Sequence, residues 1–229
     1  MQSGYKAAFF DCDNTLLDFD AAEQIAFAKL LKSFNISPVG AIDAYKKLNS
    51  ACWLEFERGT LKYEALRVER FRRFSNAFCR GVNPEEMSLR YDAFLMGRGE
   101  MIKNADVALE KISKHMPVII ITNGSGNIQR SRIAASKIAP FVSYIYISEE
   151  CASRKPDPGM LIKALKDLNI KPSEAIMVGD SLTSDMPAAR SANVDFAWYN
   201  PRGAAVPKDA KVKYIASDVL EFPNICTQK

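Results

Sequence analysis

The sequence contains one histidine, His115, and two tryptophans in 229 residues. His115 lies just before an apolar run rather than after one, so neither a histidine-based phosphatase mechanism nor a His-rich zinc site is available. The five cysteines, Cys12, Cys52, Cys79, Cys151 and Cys226, are odd in number and include no Cys-x-x-Cys pair. They read as reduced thiols. No stretch approaches the roughly 18 apolar residues of a membrane span. The first apolar segment, Ala7 to Phe10, meets an aspartate too early to be the core of a signal peptide. A cytoplasmic location without membrane contact is therefore expected. An excess of one charge is missing too: 31 basic against 27 acidic residues give a net charge of +4. That imbalance argues for no nucleic-acid polymer and is compatible with a small anionic substrate. There is no internal repeat, no low-complexity tract and no feature that encodes a specific interface, which leaves monomer or homodimer open.

What is present is a globular composition, 48% hydrophobic and 25% charged, enough to bury a core in one large domain or two small ones. Short apolar runs at Ala7 to Phe10, Val118 to Ile121, Tyr144 to Ile147, Ile176 to Val178 and Val194 to Trp198 read as buried strands. Helix-length amphipathic stretches lie between most of them, the alternation of a parallel α/β sheet. From Asp18 to about Met96 no strand signal occurs, only helical spacing such as Phe27, Leu30, Leu31 and Phe34. The expected division is a core of residues 1–17 and 97–229 and a helical cap of residues 18–96, with Gly97-Arg98-Gly99 as a hinge. Within the insertion, Gly59 and the turn from Gly81 to Pro84 separate helices, and Pro84-Glu85-Glu86 begins one.

In open parallel sheets the ligand sits beyond the carboxyl ends of the strands. The residues found there form a set: Asp11 and Asp13 after the first run, Thr122-Asn123-Gly124 after the second, Lys155 some way beyond the third, Gly179-Asp180 with Asp185 after the fourth. Carboxylates converging from neighbouring strand ends make a negative pocket that calls for a hard cation. Magnesium fits if Asp11 and Asp180 supply carboxylate oxygens and a backbone carbonyl near Asp13 adds another. Taken singly, Asp11 to Thr15 is a turn with a helix cap, Gly179-Asp180 a turn and Lys155 a solvated loop lysine. Four such features at successive strand ends are better explained together.

Those residues resemble the four signatures of the haloacid dehalogenase superfamily phosphatases. Asp11-Cys12-Asp13-Asn14-Thr15 is similar to the first, Ile121-Thr122-Asn123-Gly124 to the second, Lys155-Pro156-Asp157 to the third and Gly179 to Asp185 to the fourth. The resemblance implies a Rossmann-like parallel-sheet core with an inserted all-helical cap that closes over substrate. It makes Asp11 a nucleophile that forms an aspartyl-phosphate, and Asp13 the acid and base that protonates the leaving oxygen and then activates water. Thr122 and the amides of Asn123 and Gly124 would hold phosphate oxygens, Lys155 would neutralise phosphate and Asp11, and Asp180 would bind Mg2+. Asp185 would act through the metal's water or by orienting Lys155.

Asp13 separates this chain from the superfamily's dehalogenases, which lack a carboxylate there because cleaving carbon–halogen bonds needs no proton donor. A phosphomutase keeps both aspartates and fits less well than other branches. Leu16 to Asp20, Trp53 to Leu61, Ile147 to Glu150 and Val178 to Met186 are similar to bacterial 5′-nucleotidases acting on pyrimidine nucleoside monophosphates. A phosphoglycolate- or sugar-phosphate phosphatase is the alternative within the class. A non-catalytic phospholigand-binding module is the alternative outside it, and no signature residue is lost to favour it.

In the insertion, Trp53, Phe56, Phe71, Phe74 and Phe78 could stack on a base. Val68, Phe71, Phe74 and Phe78 follow helical spacing and read as packing core, and Trp53 is held as a candidate substrate contact. Arg67, Arg70, Arg72 and Arg73 read as a solvated face. Cys12, between the two aspartates, is expected to point into the core and so not to act as a thiolate nucleophile.

Overall fold

The computed structural model describes residues 4–227. Strand β1, Ala7–Phe10, is fully buried along its whole length, as expected where helices cover both faces of a sheet and no position is left for a polar alternate. Its side chains divide by parity. Ala8, Phe10 and Cys12 join Val118, Ile120, Ile176 and Val178 in one core layer. Ala7 and Phe9 join Ile119, Ile121 and Met177 in the other. Each buried phenylalanine contributes roughly 2–3 kcal/mol, and the alternation turns the Cys12 thiol into the core, where burial pushes its pKa up.

The chain divides into two compact units, one running up to Phe19 and resuming at Gly99, the other spanning Asp20–Arg98. The second contains helices only: α1 (Phe19–Ser33, entered from the first unit), α2 (Ala41–Glu57), α3 (Tyr63–Phe78) and α4 (Pro84–Leu95). Helix α4 begins as its sequence predicts: Pro84 needs no N–H partner, and Asn83 Oδ1 accepts the Glu86 N–H at 2.9 Å. The core of this unit is aromatic, with Phe27 stacked on Tyr45 at 4.0 Å and Phe74 edge-on to Phe27 at 5.2 Å.

Two expectations for α3 change. Phe78, at its last turn, is exposed and lies flat on Phe74 instead of belonging to the core. Arg70 is buried rather than solvated: its guanidinium lies over the rings of Phe71 and Tyr91 at 4.9 and 4.7 Å and faces Asp92. Of the four arginines only Arg72 is openly exposed; Arg67 pairs with Asp92, and Arg73 with Glu55 and Glu69.

The first unit continues through α5 (Ala105–Ser113), β2 (Val118–Thr122), α6 (Gly126–Ala134), β3 (Tyr144–Ile147), α7 (Ser148–Cys151), α8 (Gly159–Leu168) and β4 (Ala175–Gly179). It closes with α9 (Asp185–Ser191), β5 (Asp195–Tyr199), β6 (Tyr214–Ala216) and α10 (Phe222–Thr227). The six strands form one parallel sheet in the order β3-β2-β1-β4-β5-β6. Strand β6 has no counterpart among the apolar runs: it is three residues long with Ile215 exposed, too short to show a pattern. The order places β1 between β2 and β4, so successive connections run to opposite sides of β1. That reversal is the topological switch point where α/β sheets hold their ligands. Phe10 pairs with Val178, and the Asp11 N–H donates to Val178 O at 2.9 Å, which brings Asp11 and the end of β4 side by side. Among the described residues, no helix is long and apolar enough to cross a membrane.

Candidate active site

Asp11 leaves β1 at the switch point and is nearly buried. Lys155, 2% exposed, sends its ammonium back under it: Nζ donates to Asp11 Oδ1 at 2.5 Å and to the Ile121 carbonyl at 2.7 Å, and pairs with Asp185 Oδ1 at 2.7 Å. The segment that carries Lys155 is pinned by Asn123, whose side-chain amide donates to Lys155 O at 2.8 Å and accepts from Lys155 N at 2.9 Å. A buried lysine held in this way is a fixed charge, not a solvated loop lysine. Burial works against its ammonium, but Asp11 and Asp185 outweigh that and hold its pKa above the ordinary lysine value.

Carboxylate oxygens of Asp11, Asp180 and Asp185 lie within 4.8 Å of one another. Asp185 opens α9 and is turned inward, accepting the Ser181 N–H at 3.1 Å. Only glycine fits beside it, since a Cβ on Gly179 would come within 2.2 Å of Asp185 Oδ2. Asp180 is kept near the end of β4 by the Trp198 indole N–H, which donates to its carbonyl at 2.9 Å. Burial first, then Asp185, push the Asp180 carboxyl up to about 7, against the pull of Lys155. Burial likewise raises Asp11, with Lys155 opposing and the neighbouring carboxylates adding.

The same donors pass the test for a hard divalent cation. They are all oxygen ligands, and three carboxylates, Asp11, Asp180 and Asp185, converge on one place, where Lys155 is the cation paired with Asp11 and Asp185.

Asp13 is held by side chains of α6. Its Oδ2 accepts from Gln129 Nε2 at 2.9 Å, and its Oδ1 is paired with Arg132 Nη1. Gln129 Nε2 also donates to Thr122 Oγ1 at 2.7 Å. Thr122 is fully buried at the end of β2, and with its oxygen accepting from Gln129 its hydroxyl hydrogen is directed elsewhere. The Gly124 N–H, expected to meet a phosphate oxygen, donates to Ser148 Oγ at 3.2 Å. Trp53 lies in the other unit, half-buried in α2 and edge-on to Phe56 at 5.8 Å. His115 is exposed.

The sequence motifs do not include Gln129 and Arg132, the residues that hold Asp13. The only available signal was a glutamine and an arginine three residues apart on the helix that follows Thr122-Asn123-Gly124, a spacing that puts both on one face.

The sequence model of the haloacid dehalogenase-like hydrolases matches residues 5–193. Pyrimidine 5′-nucleotidase PynA of Streptococcus pneumoniae is 33% identical over 200 residues, covering 86% of this chain and 84% of that protein. Pyrimidine 5′-nucleotidase YjjG of Escherichia coli is 25% identical over 221 residues, covering 95% and 96%. The crystal structure of the HAD-hydrolase YfnB of Bacillus subtilis, bound to magnesium, superposes with a TM-score of 0.93 at 25% identity, covering 99% of this chain and 100% of that one.

Proposed function

The chain belongs to the haloacid dehalogenase-like hydrolase family, and on that premise we propose that it hydrolyses phosphomonoesters through an aspartyl-phosphate on Asp11. The observation that carries this reading is the buried Lys155 ammonium on Asp11 with a second carboxylate, Asp13, two residues away on the exit of β1. Lys155 offsets the repulsion between an ionised Asp11 and an anionic phosphate. A carboxylate oxygen of Asp11 attacks phosphorus, the bond to the leaving oxygen breaks, and the Asp13 proton goes to that oxygen. Water then attacks the aspartyl-phosphate and gives its proton to Asp13. The bond between Asp11 and phosphorus breaks and inorganic phosphate leaves. The Thr122 hydroxyl and the Asn123 N–H are the proposed donors to the phosphate oxygens, and Asp185 is the residue that keeps Lys155 in place.

Mg2+ is the proposed cofactor, held by Asp11, Asp180 and the Asp13 carbonyl; when bound it supplies positive charge that draws the phosphate in and screens it from the carboxylates. The donor set and the magnesium-bound relative support it. The proposed substrates are pyrimidine nucleoside 5′-monophosphates, on the strength of two relatives with that activity. Steady-state kcat/KM across pyrimidine and purine monophosphates, sugar phosphates and phosphoglycolate tests this. The pyrimidine nucleotides should lead, and comparable rates across the groups would defeat the nucleotidase assignment.

A further inference from the structure

Asp13 does not hang free in the crevice; both of its oxygens are held by α6. Arg132 is fully buried, and a guanidinium removed from water costs several kcal/mol unless it is well paired. One face of it lies 5.2 Å over the Phe19 ring, and Nη1 reaches both Asp13 Oδ1 and, at 2.9 Å, Gln129 Oε1. Arginine can only donate, so Oε1 of Gln129 must face it and Nε2 must face the other way. That settles the direction of the next two bonds: Nε2 donates to Asp13 Oδ2 at 2.9 Å and to Thr122 Oγ1 at 2.7 Å. Gln129 is 2% exposed, and it reaches this position by passing over Gly124, where a Cβ would lie 2.6 Å from its Cγ. A glycine without a positive φ is explained here by that close approach.

We propose that Gln129 and Arg132 are positioning residues that aim the Asp13 carboxyl at the leaving oxygen and the Thr122 hydroxyl at the phosphate. Arg132 orients Gln129, and Gln129 ties the proton carrier to the phosphate cradle. This inference rests on the phosphatase reading, and the two are separable by leaving group. p-Nitrophenolate departs without a proton, whereas an alkoxide needs one, so the ratio of kcat/KM for an alkyl phosphate to that for p-nitrophenyl phosphate reports proton delivery to the leaving oxygen. The value of kcat/KM covers only the steps through leaving-group departure and is blind to the later hydrolysis.

The variants are Asp13→Asn, Gln129→Met and Arg132→Met, assayed with saturating magnesium and checked for folding by thermal unfolding. Asp13→Asn should lower the ratio by about 10²-fold or more. Gln129→Met and Arg132→Met should each lower it by about tenfold or more, the scale of a misplaced catalytic group, with Arg132→Lys restoring part of the loss. An equal fall for both substrates in Gln129→Met would assign the glutamine to the cradle or to packing alone and overturn the proposal. Should Arg132→Met not fold, Gln129→Met decides the question. An unchanged ratio in Asp13→Asn would instead sink the proton-carrier role itself.

Discussion

Replacing Lys155 by methionine removes the positive charge and keeps most of the side chain's volume. In the wild type the ammonium lies 2.5 Å from Asp11 Oδ1 and 2.7 Å from Asp185 Oδ1, and both side chains are almost wholly buried. Breaking a buried ion pair by removing one partner costs about 3–5 kcal/mol, because the other charge is left without compensation. At roughly 2–4 °C per kcal/mol for a chain of this size, Tm should fall by about 6–20 °C without metal.

The pH dependence has a definite sign. Lys155 is the main influence lowering the Asp11 pKa against burial and the neighbouring carboxylates. Without it, the folded value rises still further above the unfolded value of about 3.9. A carboxyl raised in the folded state favours folding below its unfolded pKa, and that contribution is lost as pH rises through the folded pKa. The variant should therefore come nearest to wild-type stability near pH 5 and fall furthest behind near pH 8, and magnesium should recover part of the difference at the higher pH. Circular dichroism melts at the two pH values, with and without magnesium, measure this, and phosphate release should fall by at least about 10²-fold. A Tm within a degree or two of wild type at both pH values, or turnover within a few-fold, would refute the assignment of Lys155 as the buried counter-charge.

Two further outcomes follow from the same site. Gly179→Ala places a methyl 2.2 Å from Asp185 Oδ2; displacing Asp185 should cost about 1–3 kcal/mol of stability and, by misplacing Lys155, roughly 10²-fold in kcat/KM, and wild-type kinetics would show that Asp185 does not hold the lysine. Magnesium binding should be weaker in acid, because Asp180, raised to about 7, must lose its proton first. At a hundredfold excess over Kd the ion should add about 2.7 kcal/mol, or roughly 5–10 °C of Tm, near pH 8 and clearly less near pH 5.5. Equal shifts at the two pH values would contradict this.

How far the chain could be read in advance depended on burial. Strands covered on both faces leave uninterrupted apolar runs, and each ends abruptly at a polar residue, so β1 with Asp11 and β4 with Asp180 stand out in the sequence. The same rule fails for β6, a three-residue edge strand with an exposed isoleucine. It fails in reverse for arginine. Arg70 occupies a helical position that charge patterning assigns to water, yet its guanidinium lies over two aromatic rings, and Arg132, which no motif singles out, is buried on Asp13. Only the tertiary placement of a partner carboxylate makes such a position tolerable, and a single sequence does not display it. Gly124 was legible as part of a motif but not in its role, because its need for a hydrogen side chain comes from Gln129, five residues further on in α6.

The central claim, that phosphate passes through Asp11, is tested most directly by acid-quenching turnover of p-nitrophenyl phosphate and mapping the phosphorylated peptide by mass spectrometry. Asp13→Asn should make the intermediate accumulate, since this leaving group departs without a proton while hydrolysis of the aspartyl-phosphate still needs the base. The account predicts one phosphoryl group on Asp11 and none in Asp11→Asn. Phosphoryl transfer to another residue, or undiminished turnover by Asp11→Asn, would contradict it.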